Sequence, residues 1–145
     1  MQIVMSVDLP HEEVTVPLVR QVLGQTLTSL GARSDERYDV QLALTEACSN
    51  VLKHTRAVAE YQVLAAVDHE RCVLQVCDRG DGFELESLFD PSPDAEGGRG
   101  LDIIRELMDG LSVSRNGPNG SVVRLEKIMN WEADSPVLAL SRLER

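Results

Sequence analysis

The feature that most constrains this chain is a long apolar helical pattern that contains two polar residues one turn apart. Apolar residues recur at helical spacing after Ser34, at Val40, Leu44, Ala47, Cys48 and Val51. Glu46 and Asn50 interrupt this pattern, and helical geometry sets them about 40° apart on the wheel. Such a helix buries its apolar stripe while both polar side chains point into one space beside that stripe.

The remaining periodicity predicts a chain that alternates strands and helices. Period-2 alternation predicts an opening strand over residues 3–9. Helical spacing predicts a first helix over residues 16–30, with Gly31 as its stop, and a second helix capped by Ser34. Two antiparallel hairpins are predicted from pairs of β-forming segments, the first from 61–67 with 72–77 and the second from 111–115 with 121–127. A helix over residues 101–108 is predicted between the two hairpins.

Two glycine-rich motifs follow the polar pair in the chain. Asp78-Arg79-Gly80-Asp81-Gly82 follows a predicted strand, and Gly97-Gly98-Arg99-Gly100-Leu101 opens a predicted helix. A glycine loop before a helix presents unpaired backbone N–H groups to an anion such as phosphate. A carboxylate at a strand end can accept hydrogen bonds from the amino group of a flat heterocycle. Each motif alone also fits a simple turn.

Together the motifs predict a site that holds a nucleotide. The carboxamide oxygen of Asn50 suits Mg²⁺, which takes most of its ligands from phosphate oxygens and water. Glu46 can take a proton from a hydroxyl or water that attacks the γ-phosphate. The alternative is that Glu46 and Asn50 form an exposed i,i+4 polar pair.

Composition excludes several other classes of protein. A chain of 145 residues suits one domain, and its formal net charge of −10 lacks the basic footprint of a nucleic-acid binder. No apolar run approaches the roughly 20 residues that span a bilayer, so we expect no membrane contact and a cytoplasmic chain.

Three cysteines without C-x-x-C spacing fit small core residues better than a disulfide framework or a zinc site.

The three motifs in this order resemble the N, G1 and G2 boxes of the ATPase superfamily of gyrase, Hsp90-type heat-shock proteins, histidine kinases and MutL. Within it, the short chain, the opening strand, the position of Glu46 and the segment 120–125 are similar to bacterial anti-sigma-factor serine/threonine kinases. The resemblance covers about residues 1–128, the expected ATP-binding domain. Residues 129–145 are then a C-terminal tail that either forms a short helix or stays loose.

The resemblance implies an α+β fold: a two-layer α/β sandwich with a mixed, mainly antiparallel sheet and helices on one face. It implies that ATP and Mg²⁺ bind between the helices and a lid over residues 83–100. Asn50 then holds Mg²⁺, Glu46 is the catalytic base and Asp78 binds the adenine amino group. The other implied nucleotide contacts are Gly80 and Gly82 at the adenine, Gly98, Arg99, Gly100 and Leu101 at the phosphates, and Ser121 near the adenine.

The resemblance also implies partners. It implies a homodimer, with the opening strand at or near its interface, that sequesters a sigma factor and phosphorylates an anti-sigma-factor antagonist. Arg20 is a candidate partner contact, and a solvated helix-surface arginine is the alternative. A nucleotide-gated module that sequesters its partner without significant kinase activity is the competing function. A sensor histidine kinase is disfavoured, since only about ten residues precede His11.

Overall fold

The computed structural model describes residues 1–54, 60–78, 99–115 and 121–144. Within these residues the chain forms five strands and four helices, in the order β1 (Ile3–Pro10), α1 (Thr15–Ser29), α2 (Ser34–His54), β2 (Glu60–Val67), β3 (Arg71–Asp78), α3 (Arg99–Leu107), β4 (Gly110–Arg115), β5 (Ser121–Ile128) and α4 (Pro136–Leu143). The strands and helices predicted from periodicity are confirmed, but Ser34, the predicted cap of the second helix, is instead the first residue of α2. The largest shift is at α3, which begins two residues before the predicted start.

The strands form one sheet in the order β1-β2-β3-β5-β4. All four pairings between these described strands are antiparallel. The predicted mainly antiparallel pairing is therefore confirmed, and the described strands contain no parallel pair of the kind that a mixed sheet would have. The register aligns Leu9, Tyr61 and Asp78 across β1, β2 and β3. The end of β3 is therefore level with the start of β2 and the end of β1.

The main core lies between one face of the sheet and the helices. Alternate strand residues such as Val63, Leu74 and Leu125 share this core with helix residues such as Leu23 and Leu44. The intervening residues Leu64, Ala66 and Val73 form a separate cluster. Because successive strand side chains point to opposite faces, this separation places the helices on one face, as predicted. Complete burial of a leucine such as Leu23 stabilises the fold by about 1.5–3 kcal/mol.

The predicted apolar stripe of α2 is confirmed. Its residues Val40, Leu44, Ala47, Cys48 and Val51 are all at most 1% exposed. Helix α2 packs against α1, α3 and the central strands β3 and β5. Because α2 is packed on several sides, polar side chains on its flank are held in a fixed position relative to the rest of the fold.

Gly31 ends the first helical region in the way that the sequence predicts. Its φ of 83° lies in the left-handed region that favours glycine. A Cβ at this position would also lie 2.7 Å from the Cβ of Ser135. The Ser135 hydroxyl donates a 2.6 Å hydrogen bond to the carbonyl of Leu30, so the close approach attaches the C-terminal segment to the end of α1.

The C-terminal segment forms a helix instead of a loose tail. Trp131 and Val137 belong to the main core. The Trp131 indole N–H donates a 2.9 Å hydrogen bond to the carbonyl of His69, and the buried carboxylate of Glu36 accepts hydrogen bonds from the backbone and side chain of Asn130. None of the described helices is long and apolar enough to cross a membrane.

Candidate functional site

The best-defined part of the candidate site is the contact between Asp78 and Ser121. Pairing of β3 with β5 sets Cys77 opposite Val122, which brings the last residue of β3 beside the first residue of β5. The Ser121 backbone N–H donates to Asp78 Oδ1 at 2.7 Å, and the Ser121 hydroxyl donates to Oδ2 at 3.0 Å. The Asp78 residue is 1% exposed. These bonds orient a buried carboxylate that has about four acceptor positions in total.

Glu46 and Asn50 lie on α2, and both are half-buried. The burial of neighbouring Ala47 and Cys48 against the core fixes the rotation of the helix about its axis. The two polar residues are therefore held on one flank, about 6 Å apart along the helix axis. This flank offers two groups to the same space. The Glu46 carboxylate can accept a proton, and the Asn50 carboxamide oxygen can bind a metal ion.

Helix α3 supplies the third part of the site. It begins at Arg99, and Leu101 in its first turn is buried together with Ile104. These apolar residues fix the helix against the core, next to α2. The first-turn N–H groups of a helix have no partner within the helix, so Gly100 and Leu101 can present such groups to an anion.

Several predicted site residues lie beyond what the structure describes. Gly80, Gly82 and Gly98, and the predicted lid residues up to Gly98, lie outside the described residues. Arg99 is part of α3, but its side chain is not among those described. The described part of the site thus consists of Glu46, Asn50 and Asp78, with Leu101 and Ser121.

The described residues fit a magnesium ion only if the nucleotide supplies most of its ligands. No group of three His, Cys, Asp or Glu side chains suited to a metal occurs within the described ranges. Asn50 offers one oxygen, and Mg²⁺ is commonly bound by one or two protein groups together with phosphates and water. A single protein oxygen from Asn50 agrees with Mg²⁺ that binds together with a nucleotide.

A cavity of about 580 Å³ opens beside Glu46, between α2 and the connection from β1 to α1. Among the described residues, its lining consists of His11, Glu12, Glu13, Val16, Glu46, Ser49, Leu52 and Lys53. The imidazole Nε2 of His11 is buried and has no hydrogen-bond partner among the described residues. Periodicity did not reveal this cavity, because the residues of its two walls are at least 30 positions apart in the chain, as Val16 and Glu46 are.

A buried polar network beside this cavity also escaped the sequence reasoning. The Thr15 hydroxyl donates to the carbonyl of Glu12 at 2.6 Å, and its oxygen lies 2.5 Å from the hydroxyl of Tyr61. Since the threonine proton is used, Tyr61 is the donor of the second bond. Burial raises the pKa of Tyr61 to about 12. The network fastens the start of α1 to β2; the only sequence signal was a tyrosine at the start of a strand.

The three cysteines are core residues, as predicted. Cys48, Cys72 and Cys77 are all free and fully buried. Burial raises the pKa of each thiol to about 12. A thiol in this state is neither a nucleophile nor a metal ligand at neutral pH.

Arg20, the predicted partner contact, lies on α1 and is half-buried. The side-chain amide of Gln41 on α2 donates a 3.1 Å hydrogen bond to the Arg20 carbonyl, which fixes this turn of α1 against α2. Arg20 is thus held near the interface of the two helices and apart from the exposed apolar side chains of Leu18 and Val22.

Comparison with known proteins identifies the family. The family described as the histidine kinase-like ATPase domain matches residues 9–127. The serine-protein kinase RsbW of Bacillus velezensis is 30% identical over 137 residues, which span 86% of this chain and 84% of that protein. The RsbW of Bacillus subtilis is 28% identical, with 86% of this chain and 84% of that protein covered. This chain is therefore homologous to the RsbW serine-protein kinases.

Solved structures share the fold. The RsbU and RsbW domains of a Mycobacterium tuberculosis protein superpose with a TM-score of 0.68 at 20% identity, over 88% of this chain and 33% of that one. The SiaB–SiaC complex from Pseudomonas aeruginosa contains a chain that superposes with a TM-score of 0.61 at 17% identity, over 86% of this chain and 89% of that one. Because the family model matches residues 9–127, the chain belongs to the histidine kinase-like ATPase domain family.

Proposed function

We propose that this chain is an anti-sigma factor that binds Mg-ATP and phosphorylates a serine or threonine of an anti-sigma-factor antagonist. The observation that carries the kinase proposal is the position of Glu46. This carboxylate shares one flank of α2 with Asn50 and also borders an open cavity. A base for protein phosphorylation needs access both to the nucleotide and to an incoming hydroxyl.

The proposed chemistry uses few protein groups. The acceptor oxygen forms a bond to the γ-phosphorus while the bond from that phosphorus to the β,γ-bridging oxygen breaks, and ADP leaves. The hydroxyl proton passes to a carboxylate oxygen of Glu46. Asn50 would hold Mg²⁺ through its carboxamide oxygen, and the ion would supply positive charge that neutralises the phosphates. Asp78 accepts a hydrogen bond from the adenine amino group, and the first turn of α3 binds phosphate.

The regulatory part of the proposal is supported by the likeness to anti-sigma-factor kinases and by 30% identity to a serine-protein kinase RsbW. We extend it to a homodimer that contacts its partners near Arg20. Strand β1 is at one end of the described sheet order, and an exposed sheet edge is a natural place for a second chain to pair.

Phosphate transfer to a protein from the native host tests the kinase proposal. The full chain is incubated with Mg²⁺, γ-labelled ATP and fractionated host cytosol, and the labelled protein is purified and its modified residue identified. Label on a serine or threonine of a small protein supports the kinase. If no protein is labelled although the chain still binds ATP and retains a sigma factor, the sequestering module is the correct function.

A further inference from the structure

We propose that Lys127 is a positioning residue for the nucleotide phosphates. Its ammonium group holds the C-terminal end of α3 and thereby sets the direction of the helix whose first turn binds phosphate. The inference rests on the proposed binding of Mg-ATP and adds a residue outside the three motifs. Lys127 lies in β5, beside the end of α3 opposite to Arg99, so it acts through the helix and not by contact with the nucleotide.

The place of Lys127 in β5 is unusual for a lysine. Alternate residues of β5 face the main core, and Val123 and Leu125 are fully buried there. Lys127 is the next residue on this face, and only 15% of its side chain is exposed. A charge at such a position costs stability unless it is paired. The contacts of its ammonium group therefore indicate what the lysine holds.

The Lys127 ammonium group joins two helices. Its Nζ donates a 2.6 Å hydrogen bond to the carbonyl of Leu107, the last residue of α3, and a 3.4 Å hydrogen bond to Oδ2 of Asp39 on α2. The last carbonyls of a helix have no partner within the helix, and they form the negative end of its dipole. Two negative groups thus meet at one nitrogen, and without its charge they would repel each other.

This contact fixes the end of α3 that is far from the candidate site. Helices α2 and α3 pack against each other, and α2 continues from Asp39 for about 16 Å to Asn50. The first turn of α3 begins about 12 Å from Leu107. Because the two helices meet at Asp39 and Leu107, α3 leads from that contact back along α2 toward Asn50.

The direction of α3 matters because the helix is a short lever with its pivot at Leu107. Just beyond this residue, Asp109 forms hydrogen bonds to the backbone of β5 through its own N–H group and its carboxylate. A rotation of about 5° at the pivot moves the first turn by about 1 Å, a displacement that can spoil a binding geometry. Leu101 and Ile104 bury the helix, but apolar contacts are non-directional. Hydrogen bonds depend on angle, so the Lys127 contact limits this rotation.

The affinities for Mg-ATP and for adenosine test this role, because only Mg-ATP carries phosphates. Lys127→Met keeps the apolar stem and removes the ammonium group. We expect the Kd of Mg-ATP, measured by isothermal titration, to rise about five- to twentyfold. The Kd of adenosine, measured by NMR titration, should stay within about twofold of the wild-type value, because Asp78 is unchanged.

Two further variants serve as the rescue and the control. Lys127→Arg keeps a charged donor and should bind Mg-ATP within about threefold of the wild-type affinity. Arg33→Met removes one positive charge from an exposed position before α2 and should leave both affinities unchanged. If Lys127→Met does not fold, Lys127→Gln, which keeps a neutral donor, replaces it in all these comparisons.

Asp39→Asn tests the physical origin of the effect. In Lys127→Met, the Asp39 carboxylate and the Leu107 carbonyl lose the positive charge between them. Asp39→Asn in that background should therefore restore Mg-ATP affinity by at least about twofold. In the wild-type background it weakens only the longer of the two Lys127 contacts, and we expect the Kd of Mg-ATP to rise by less than about threefold.

The outcomes separate this inference from the proposed function. A higher Kd for Mg-ATP but not for adenosine, with rescue by Lys127→Arg, supports the positioning role. Equal losses for both ligands in a folded variant, or an unchanged affinity for Mg-ATP, overturn the role of Lys127 and leave the proposed binding of Mg-ATP intact. If the wild-type chain binds no Mg-ATP, the proposed function fails, and the positioning role fails with it.

Discussion

The carboxylate of Asp78 accepts two hydrogen bonds from Ser121, one from the backbone N–H at 2.7 Å and one from the hydroxyl at 3.0 Å. The two residues are 43 positions apart in the chain and meet because β5 pairs with β3. This contact orients the carboxylate at the end of β3 before any ligand arrives. The contact also gives Ser121 a positioning role: it holds Asp78, the residue that we propose binds adenine.

Asp78→Asn should weaken ATP binding by about 1.5–3 kcal/mol, because a buried charged acceptor becomes neutral. Isothermal titration with Mg-ATP measures the loss, which corresponds to roughly 10- to 150-fold in Kd. Asp134→Asn, at an exposed turn before α4, is the matched control for the change of charge and should bind ATP normally. Equal affinity of the two variants would remove Asp78 from the adenine role.

Glu46→Gln should retain ATP binding and lose phosphate transfer, because the amide cannot take the hydroxyl proton. We expect a fall in kcat of at least 100-fold. Asn50→Ala should instead impair the metal-dependent steps and raise the Mg²⁺ concentration needed for half-maximal transfer, because it removes a metal ligand. Single-turnover transfer assays at several Mg²⁺ concentrations distinguish the effects of the two variants. A wild-type transfer rate in Glu46→Gln would show that another group is the base.

Arg20→Glu should weaken binding of a protein partner by more than about 1 kcal/mol and leave ATP affinity intact. Surface plasmon resonance with the copurified sigma factor measures the effect. Arg142→Glu, which makes the same change on the exposed surface of α4, serves as the control. Partner affinity that is unaffected by Arg20→Glu would make Arg20 an ordinary helix-surface arginine.

The chain should be a dimer at micromolar concentration, with β1 at or near the interface. Light scattering coupled to size exclusion measures the mass. Val4, on the face of β1 opposite to the core, is 47% exposed, and Val4→Lys should shift the equilibrium toward monomer if this strand region is the interface. A monomeric wild-type chain under these conditions would contradict the dimer.

The cysteines should make the fold less stable at high pH. Burial raises the thiol pKa of Cys48, Cys72 and Cys77 from 9.0 to about 12. Above pH 9 the unfolded chain therefore loses protons that the folded chain keeps, and stability falls as the pH rises toward 12. Each thiol contributes about 1 kcal/mol per pH unit in this range.

Urea unfolding at pH 8 and pH 10 measures this loss. A thiol reagent at pH 8 provides a second readout: all three cysteines should react in urea and none in the folded chain. Rapid labelling of the native protein would show that at least one thiol is accessible.

Local periodicity was sufficient to predict the five strands and the first three helices of the described chain, whereas it left open whether the C-terminal segment forms α4. Whether Val40, Leu44 and Val51 share a helix face depends only on their spacing, and the same is true of the alternation in β1. The motif order also assigns residues to a nucleotide site, and this assignment stays a prediction. The roles of Glu46, Asn50 and Asp78 in binding and transfer stay predictions.

Tertiary structure decided how these parts meet. Contact between Asp78 and Ser121, closure of the Thr15–Tyr61 network and the unpartnered imidazole of His11 all depend on which elements become neighbours. Spacing within one segment carries no information about neighbours that are distant in the chain. Sequence alone therefore predicted the elements and the candidate residues, whereas the packing of α1 against α2 determined that Glu46 borders a cavity.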